Sequence, residues 1–213
     1  TGDTTLKNSA GLTFNKVING GDKNLSLESD GTVIINGPVG ANPNSLSTTS
    51  NINPYALTIS ASKIQINNNI ATNQNQTYNA ANVVIGGVNP TVTMLSLNPN
   101  ITFSGAINDS VRGAHSLDLK SIATGDYSTI NSPQINLNGA VGNITPLGNL
   151  TLAAFYDPAP QVSFGALPTL DTSPFYTGTI NATGNMSATQ SLTLVGQDFN
   201  LNDAVISAPE VNV

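Results

Sequence analysis

The densest group of ionisable side chains in this sequence lies between Asp109 and Lys120, in the string DSVRGAHSLDLK. It contains the one histidine of the chain, His115, and its one arginine, Arg112. A carboxylate beside an imidazole supports acid–base chemistry, so Asp109 or Asp118 could serve as the partner of His115. Arg112 could instead bind the carboxylate of a ligand through two parallel hydrogen bonds. The interpretation that we favour is a solvated loop whose charges compensate one another.

The remaining carboxylates are too scattered to predict an active site. Polysaccharide lyases and hydrolases with β-helical folds need clustered carboxylates, with or without calcium. Asp22, Glu28 and Asp30 form the nearest approach to a group, and turn chemistry accounts for two of them. The Gly-Gly-x-Gly-x-Asp calcium repeat is absent, and a single histidine cannot build a His-rich metal site. We therefore predict no catalytic residue, no metal and no cofactor, and keep a carbohydrate-active β-helix as the alternative.

A second unusual stretch, residues 155–176, is rich in aromatic residues and proline. It contains five of the eleven aromatic residues and four of the twelve prolines. Because proline cannot donate to a strand ladder, we expect a loop insertion over residues 153–176. The loop either stacks aromatic faces on a sugar or protein ligand, or covers an end or side of the apolar core. The candidate ligand-binding residues of the chain are Phe155, Tyr156, Phe164, Phe175, Tyr176, Arg112 and His115.

Composition excludes several classes of partner. Only 8% of the 213 residues are charged, and the net charge is −6 with a pI near 4.3. The six Lys and Arg residues are scattered, so no basic face is predicted for nucleic acid or an anionic membrane. No run approaches the roughly 20 apolar residues of a membrane-spanning helix. Hydrophobic residues make up 38% of the chain, which is enough for a continuous core.

Short apolar–polar–apolar triplets run along the whole chain and predict half-buried strands. Turn-forming residues such as Asn19-Gly20-Gly21, Asp30-Gly31 and Asn138-Gly139 separate them. No window has helical periodicity, so the predicted class is all-β. The triplets include Leu25–Leu27, Leu57–Ile59, Ile64–Ile66, Ile101–Phe103, Leu117–Leu119, Ile135–Leu137, Leu150–Leu152 and Leu192–Leu194.

Two halves of the chain carry matching phrases in the same order, which indicates an internal repeat. Residues 11–14 (GLTF) match 100–103 (NITF), and residues 25–29 (LSLES) match 117–121 (LDLKS). We predict one domain over residues 1–213, with repeat halves of roughly 11–99 and 100–213. The predicted architecture is a right-handed parallel β-helix of about ten coils, each of about twenty residues. A β-sandwich or jelly roll is the alternative, although it does not predict an ordered repeat.

The strings INGPVGA, LNGAVGNITPLGNLTL, NITFSGAIND and NQNQTYNAANVVIGG resemble repeats of large secreted bacterial proteins of the filamentous haemagglutinin-like class. The resemblance covers roughly residues 11–152 and, more weakly, 176–213. It implies a β-helical exoprotein of the two-partner or autotransporter type. The secretion domain of two-partner exoproteins has NPNL and NPNGI motifs, whereas this chain has only NPNS at 42–45 and NPNI at 98–101. We therefore expect an internal rod segment of a longer polypeptide.

The same resemblance implies a function in adhesion or cell–cell contact at the bacterial surface or in secreted form. The expected partners are a receptor or glycan on a host or neighbouring cell, and an outer-membrane transporter during export. We expect a monomer without membrane insertion. A segment of a phage or virus fibre is a further alternative, which would form a stable trimer instead.

Overall fold

The computed structural model describes residues 2–40, 53–98, 100–124, 132–157 and 178–213. These residues form eighteen strands and no helix, so the protein is all-β, and the described part contains no helix able to span a membrane. The strands are β1 (Thr4–Asn8), β2 (Gly11–Phe14), β3 (Leu25–Ile35), β4 (Leu57–Ile66), β5 (Ile70–Thr72), β6 (Gln76–Asn79), β7 (Asn82–Ile85), β8 (Thr91–Ser96), β9 (Asn100–Phe103), β10 (Ala106–Asp109), β11 (Ser116–Thr124), β12 (Gln134–Leu137), β13 (Leu147–Asp157), β14 (Thr179–Ala182), β15 (Met186–Val195), β16 (Asp198–Asn200), β17 (Ile206–Ser207) and β18 (Glu210–Asn212).

The strands form two parallel sheets of eleven and seven strands. The longest path through the first sheet is β1-β3-β4-β6-β9-β12-β14-β16, and the second runs β17-β15-β13-β11-β8-β5, with β18 beside β15. Every strand pair among the described residues is parallel. The sandwich alternative is therefore wrong for this part of the chain, because the sheets of such sandwiches are antiparallel.

The register of the parallel pairs stacks like residues on one another and builds the core. Alternate side chains of each strand point inward, so an aligned register places apolar residues in continuous columns. Most of these side chains are fully buried, and Tyr78 stacks on Phe103 with ring centroids 4.5 Å apart. One column contains Leu6, Leu27, Ile59, Tyr78, Phe103, Leu137 and Ala182. Another contains Leu12, Val33, Ile64, Val83, Ile107, Val141, Met186 and Ile206.

Several strands are longer than the predicted triplets because they continue around a corner. β3 runs for 11 residues through Asp30-Gly31, where a turn between two strands was predicted. The prediction was wrong at this point: the strand bends, and its pairing with β4 shifts register between Ser29 and Thr32. A Cβ atom on Gly31 would lie 2.2 Å from the carbonyl oxygen of Ala10. Glycine is therefore needed here because the neighbouring backbone approaches too closely for a side chain.

Two asparagine ladders link neighbouring strands of the first sheet, one just after the strand ends and one within the strands. The side-chain amide of Asn36 donates to Asn15 (2.7 Å), and that of Asn67 donates to Asn36 (2.5 Å). A second ladder has Asn181 in the middle, donating to Asn136 (2.7 Å) and accepting from Asn200 (2.9 Å). Uncharged amides thus link neighbouring strands in a chain that has few charged residues.

Residues 153–157 of the expected loop insertion at 153–176 belong to a strand instead. β13 extends to Asp157 and pairs in register with β11 as far as Thr124. After β13, the first residue without a backbone N–H is Pro158, so every residue of the strand up to Asp157 can donate to the strand ladder. Phe164, Phe175 and Tyr176, with the rest of 158–177, lie outside the described residues.

Candidate functional site

A carboxylate occupies an apolar column of the first sheet. The register places Asp109 of β10 directly beside Ile85 of β7, in line with Ile66, Ile35 and Phe14 of the preceding strands. Its side chain points inward like that of Ile107 two residues earlier, and it is only 3% exposed. A buried carboxylate is costly without hydrogen bonds and a charged partner, so the residues around it define a site.

Asp109 is fully engaged by the loop that follows it. One oxygen, Oδ1, lies 2.6 Å from Nδ1 of His115 and accepts the backbone N–H of Val111 at 3.2 Å. The other, Oδ2, accepts the backbone N–H of His115 at 2.9 Å. His115 is itself 8% exposed. The favoured expectation of a solvated loop was therefore wrong for these two residues: they form a buried, hydrogen-bonded pair that fastens the turn to the core.

The surroundings of the imidazole decide what chemistry this pair can perform. Nε2 of His115 lies 3.1 Å from the carbonyl oxygen of Gly87, and Ser110 Oγ lies 3.4 Å from Nδ1. In a Ser-His-Asp relay the serine and the carboxylate contact opposite ring nitrogens, whereas here both approach Nδ1. Both ring nitrogens therefore already lie within hydrogen-bond distance of protein oxygen atoms. The arrangement anchors a loop and does not align a nucleophile.

Asp118 pairs with a different residue from the one considered in the sequence. It lies on β11, where its Oδ2 is 2.7 Å from Nζ of Lys120. Burial raises the pKa of the Asp118 carboxyl, and the ammonium of Lys120 partly opposes that increase. Its Oδ1 is buried without a hydrogen-bond partner. Of the two carboxylates proposed for His115, only Asp109 reaches it.

Phe155 and Tyr156 do not form an exposed aromatic surface. Phe155 lies beside Ile122 in the register of β13 with β11, within a second apolar cluster that is separate from the main core and includes Leu95. The two aromatic residues are 6% and 7% exposed, which leaves no free ring face for a ligand. The expectation that these two side chains project from a loop was wrong, because both lie on β13.

Arg112, by contrast, is exposed and lies beside a surface groove of about 340 Å³. We call this the Arg112 groove. Three other chain segments, within 142–146, 185–187 and 205–207, contribute to its walls. The lining residues are Arg112, Gly142, Asn143, Ile144, Pro146, Asn185, Met186, Ser187, Val205 and Ser207.

Hydrogen bonds from the fold hold the walls of the Arg112 groove in place. The backbone N–H groups of Ile144 and Thr145 both donate to the Asn108 side chain, at 3.1 and 3.2 Å. The N–H of Val205 donates to the side-chain oxygen of Asn185 at 2.9 Å. The N–H of Gly113 donates to the carbonyl of Pro146 at 2.8 Å, which ties the arginine loop to the opposite wall. The groove is therefore largely formed before any ligand arrives.

A second groove, of about 500 Å³, lies near the start of the chain between Lys7 and Asn79. It contains Glu28 and Asp30, two of the three carboxylates that come nearest to a group in the sequence. Lys7 lies 3.3 Å from Glu28 across it, so its cation is already paired. Over the described ranges, no three His, Asp or Glu residues come together in a way that could hold a metal ion.

Sequence reasoning identified Arg112 but missed the other walls of its groove. Asn143, Asn185 and Val205 are far apart in the sequence, and only the register of the strands before them brings them together. Comparisons with known proteins give no further guidance: no family model, no curated protein and no solved structure matches this chain.

Proposed function

We propose that this chain is a non-catalytic structural and binding segment of a secreted bacterial surface protein, active in adhesion or cell–cell contact. The observation that carries the proposal is the unbroken set of parallel strand pairs with aligned apolar columns. Such stacking gives an elongated body whose turns are free to vary, which suits the display of binding surfaces. The resemblance of the repeats to filamentous haemagglutinin-like proteins supports the same assignment.

The architecture that we propose is a right-handed parallel β-helix. Connections between parallel strands of one sheet are right-handed in about 98% of cases, which favours this hand. The longest described path contains eight strands, against the expectation of about ten coils. Successive levels are separated by unequal lengths of chain, for example 19 residues from Asn181 to Asn200 and 45 from Asn136 to Asn181. Longer connections account for fewer levels than a constant twenty residues would give.

The chemistry of the surface supports binding rather than turnover. The buried Asp109–His115 pair has its hydrogen-bonding capacity occupied by the turn around it. The polar exterior consists largely of uncharged amides and hydroxyls, which suits weak contacts repeated along a surface. Export through an outer-membrane transporter and a location outside the cell belong to this proposal and are supported by the sequence resemblance alone.

Cell binding by the isolated chain tests the proposal. Fluorescent beads coated with the folded chain should attach to host epithelial cells or to bacterial cells. Beads coated with the same chain after irreversible unfolding should not attach. Absence of attachment to both kinds of cell would contradict a role in adhesion. Turnover of a panel of polysaccharides, with and without calcium, would instead support the carbohydrate-active alternative.

A further inference from the structure

The Arg112 groove combines an unpaired cation with uncharged hydrogen-bonding side chains. The chain has a net charge of −6, yet none of the described residues lining the groove is acidic. Within the described part of the chain, Arg112 is the partner of no carboxylate. A guanidinium in this setting is available for an anion, and carboxylates match its planar fork with two hydrogen bonds.

Uncharged polar groups extend the groove beyond the guanidinium. Asn143 and Asn185 are exposed, and because the side-chain oxygen of Asn185 accepts the Val205 N–H, its amide NH₂ remains for another partner. The hydroxyls of Ser187 and Ser207 also line the groove. A ligand that carries several hydroxyl groups around one carboxylate fits this set of donors and acceptors.

Aliphatic side chains complete the walls. Ile144 is 76% exposed and Val205 is 62% exposed, and both line the groove with Pro146. Large aliphatic side chains on a surface are available to pack against an apolar face of a ligand. The C–H face of a pyranose ring provides such a surface, whereas a free inorganic anion does not.

From these features we propose that the Arg112 groove binds a sugar acid, with the sugar carboxylate on Arg112, the hydroxyls on the amides and serines, and the ring face on Ile144 and Val205. Its volume of about 340 Å³ lies at the lower end of the usual range for small-molecule sites and suits one or two sugar residues. This inference rests on the proposed binding function and specifies a ligand class for it.

The test is direct binding of D-glucuronic acid, with D-glucose as the matched sugar that lacks the carboxylate. We expect NMR shift changes at Ile144, Val205 and Asn185 on titration with glucuronic acid and no saturable change with glucose. Arg112→Gln should weaken glucuronic acid binding at least about tenfold, and Arg112→Lys should restore it only in part because a lysine cannot form the paired contact. Lys16→Gln removes the same charge at an exposed position outside the groove and should leave binding unchanged.

Three results would overturn the inference: equal binding of glucose and glucuronic acid, unchanged binding by Arg112→Gln, or no shift with either sugar. Binding of an acidic tripeptide in place of the sugar would show that the groove recognises a protein. Circular dichroism of each variant confirms that the fold is retained. Bead attachment to cells that survives Arg112→Gln would leave the proposed adhesion intact while removing this groove from it, so the two failures are distinguishable.

Discussion

Asp109 shows how a single side chain can connect a turn to the core. It stands where its column places Phe14, Ile35, Ile66 and Ile85, and its carboxylate is matched there by His115 and two backbone N–H groups. The loop that carries Arg112 begins directly after it. The buried pair therefore sets the position of the one exposed guanidinium.

Replacing His115 should destabilise the fold, because the buried carboxylate of Asp109 would lose its imidazole partner. His115→Ala leaves Asp109 buried without its ring partner, and we expect a loss of about 3 kcal/mol in the free energy of unfolding. Urea denaturation measures this loss. The matched control is Lys7→Ala, which breaks an exposed ion pair with Glu28 and should cost under about 1 kcal/mol. Equal losses in the two variants would show that the Asp109–His115 contact is not buried as described.

The raised pKa of Asp118 predicts that its contribution to folding stability changes with pH in the direction opposite to that of an ordinary paired carboxylate. Burial raises its folded pKa above 3.8, so the folded chain binds this proton more tightly than the unfolded chain. The contribution to stability therefore falls as pH rises from 3.8 through the higher folded pKa. Asp118→Asn should gain stability relative to the wild type over this interval, as measured by urea denaturation at a series of pH values.

Asp3 provides the control for that experiment. Hydrogen bonds from the Asn24 side chain and backbone lower its pKa, so its contribution is present above 3.8 and is lost as pH falls through the folded pKa. Asp3→Asn should therefore lose stability relative to the wild type as pH rises, the reverse of Asp118→Asn. Parallel pH profiles for the two variants would contradict the assigned directions.

At the scale of elements, the alternation of residues predicted the strands but not the faces to which they belong. Leu117-Asp118-Leu119 lies on a strand as predicted, with both leucines buried. The matching phrase in the other half, residues 25–29, lies in the first sheet, whereas 117–121 lie in the second. A triplet has the same pattern on either face, so only the lengths of the connections and the register assign it. The walls of the Arg112 groove were unpredictable for the same reason.

Two glycines with positive φ allow the cost of backbone strain to be compared with the cost of steric crowding. Gly142 and Gly21 both have positive φ, +68° and +58°, but a Cβ on Gly142 would lie 2.2 Å from the Ser187 carbonyl while one on Gly21 would meet nothing within 4 Å. Gly21→Ala should cost about 1 kcal/mol from the left-handed conformation alone. Gly142→Ala should cost about 3 kcal/mol or more, because the backbone at Gly142 must also move away from Ser187. Thermal and urea denaturation would compare them, and equal costs would contradict the close packing of these levels.

For the molecule as a whole, the strand pairs within one chain account for the parallel sheets without help from a second chain. We therefore expect a monomer of 21.9 kDa in sedimentation equilibrium at micromolar concentration. A fibre segment that needs three chains would instead give a stable species of three times that mass, unaffected by dilution. A persistent trimer would favour the fibre alternative and contradict the monomer prediction.

The register also implies that a deletion or duplication within the chain can remove or add one whole level of stacked strands. Leu57 occupies the same position as Gln76, nineteen residues later, and Leu25 pairs with Leu57. Excising residues 57–75 would therefore bring β3 against β6 with Val33 facing Val83 and Val39 facing Met94, each in its original column. A shortened protein of this kind would keep the strands at both ends of the stack. The length of the stack can therefore change in steps of one level.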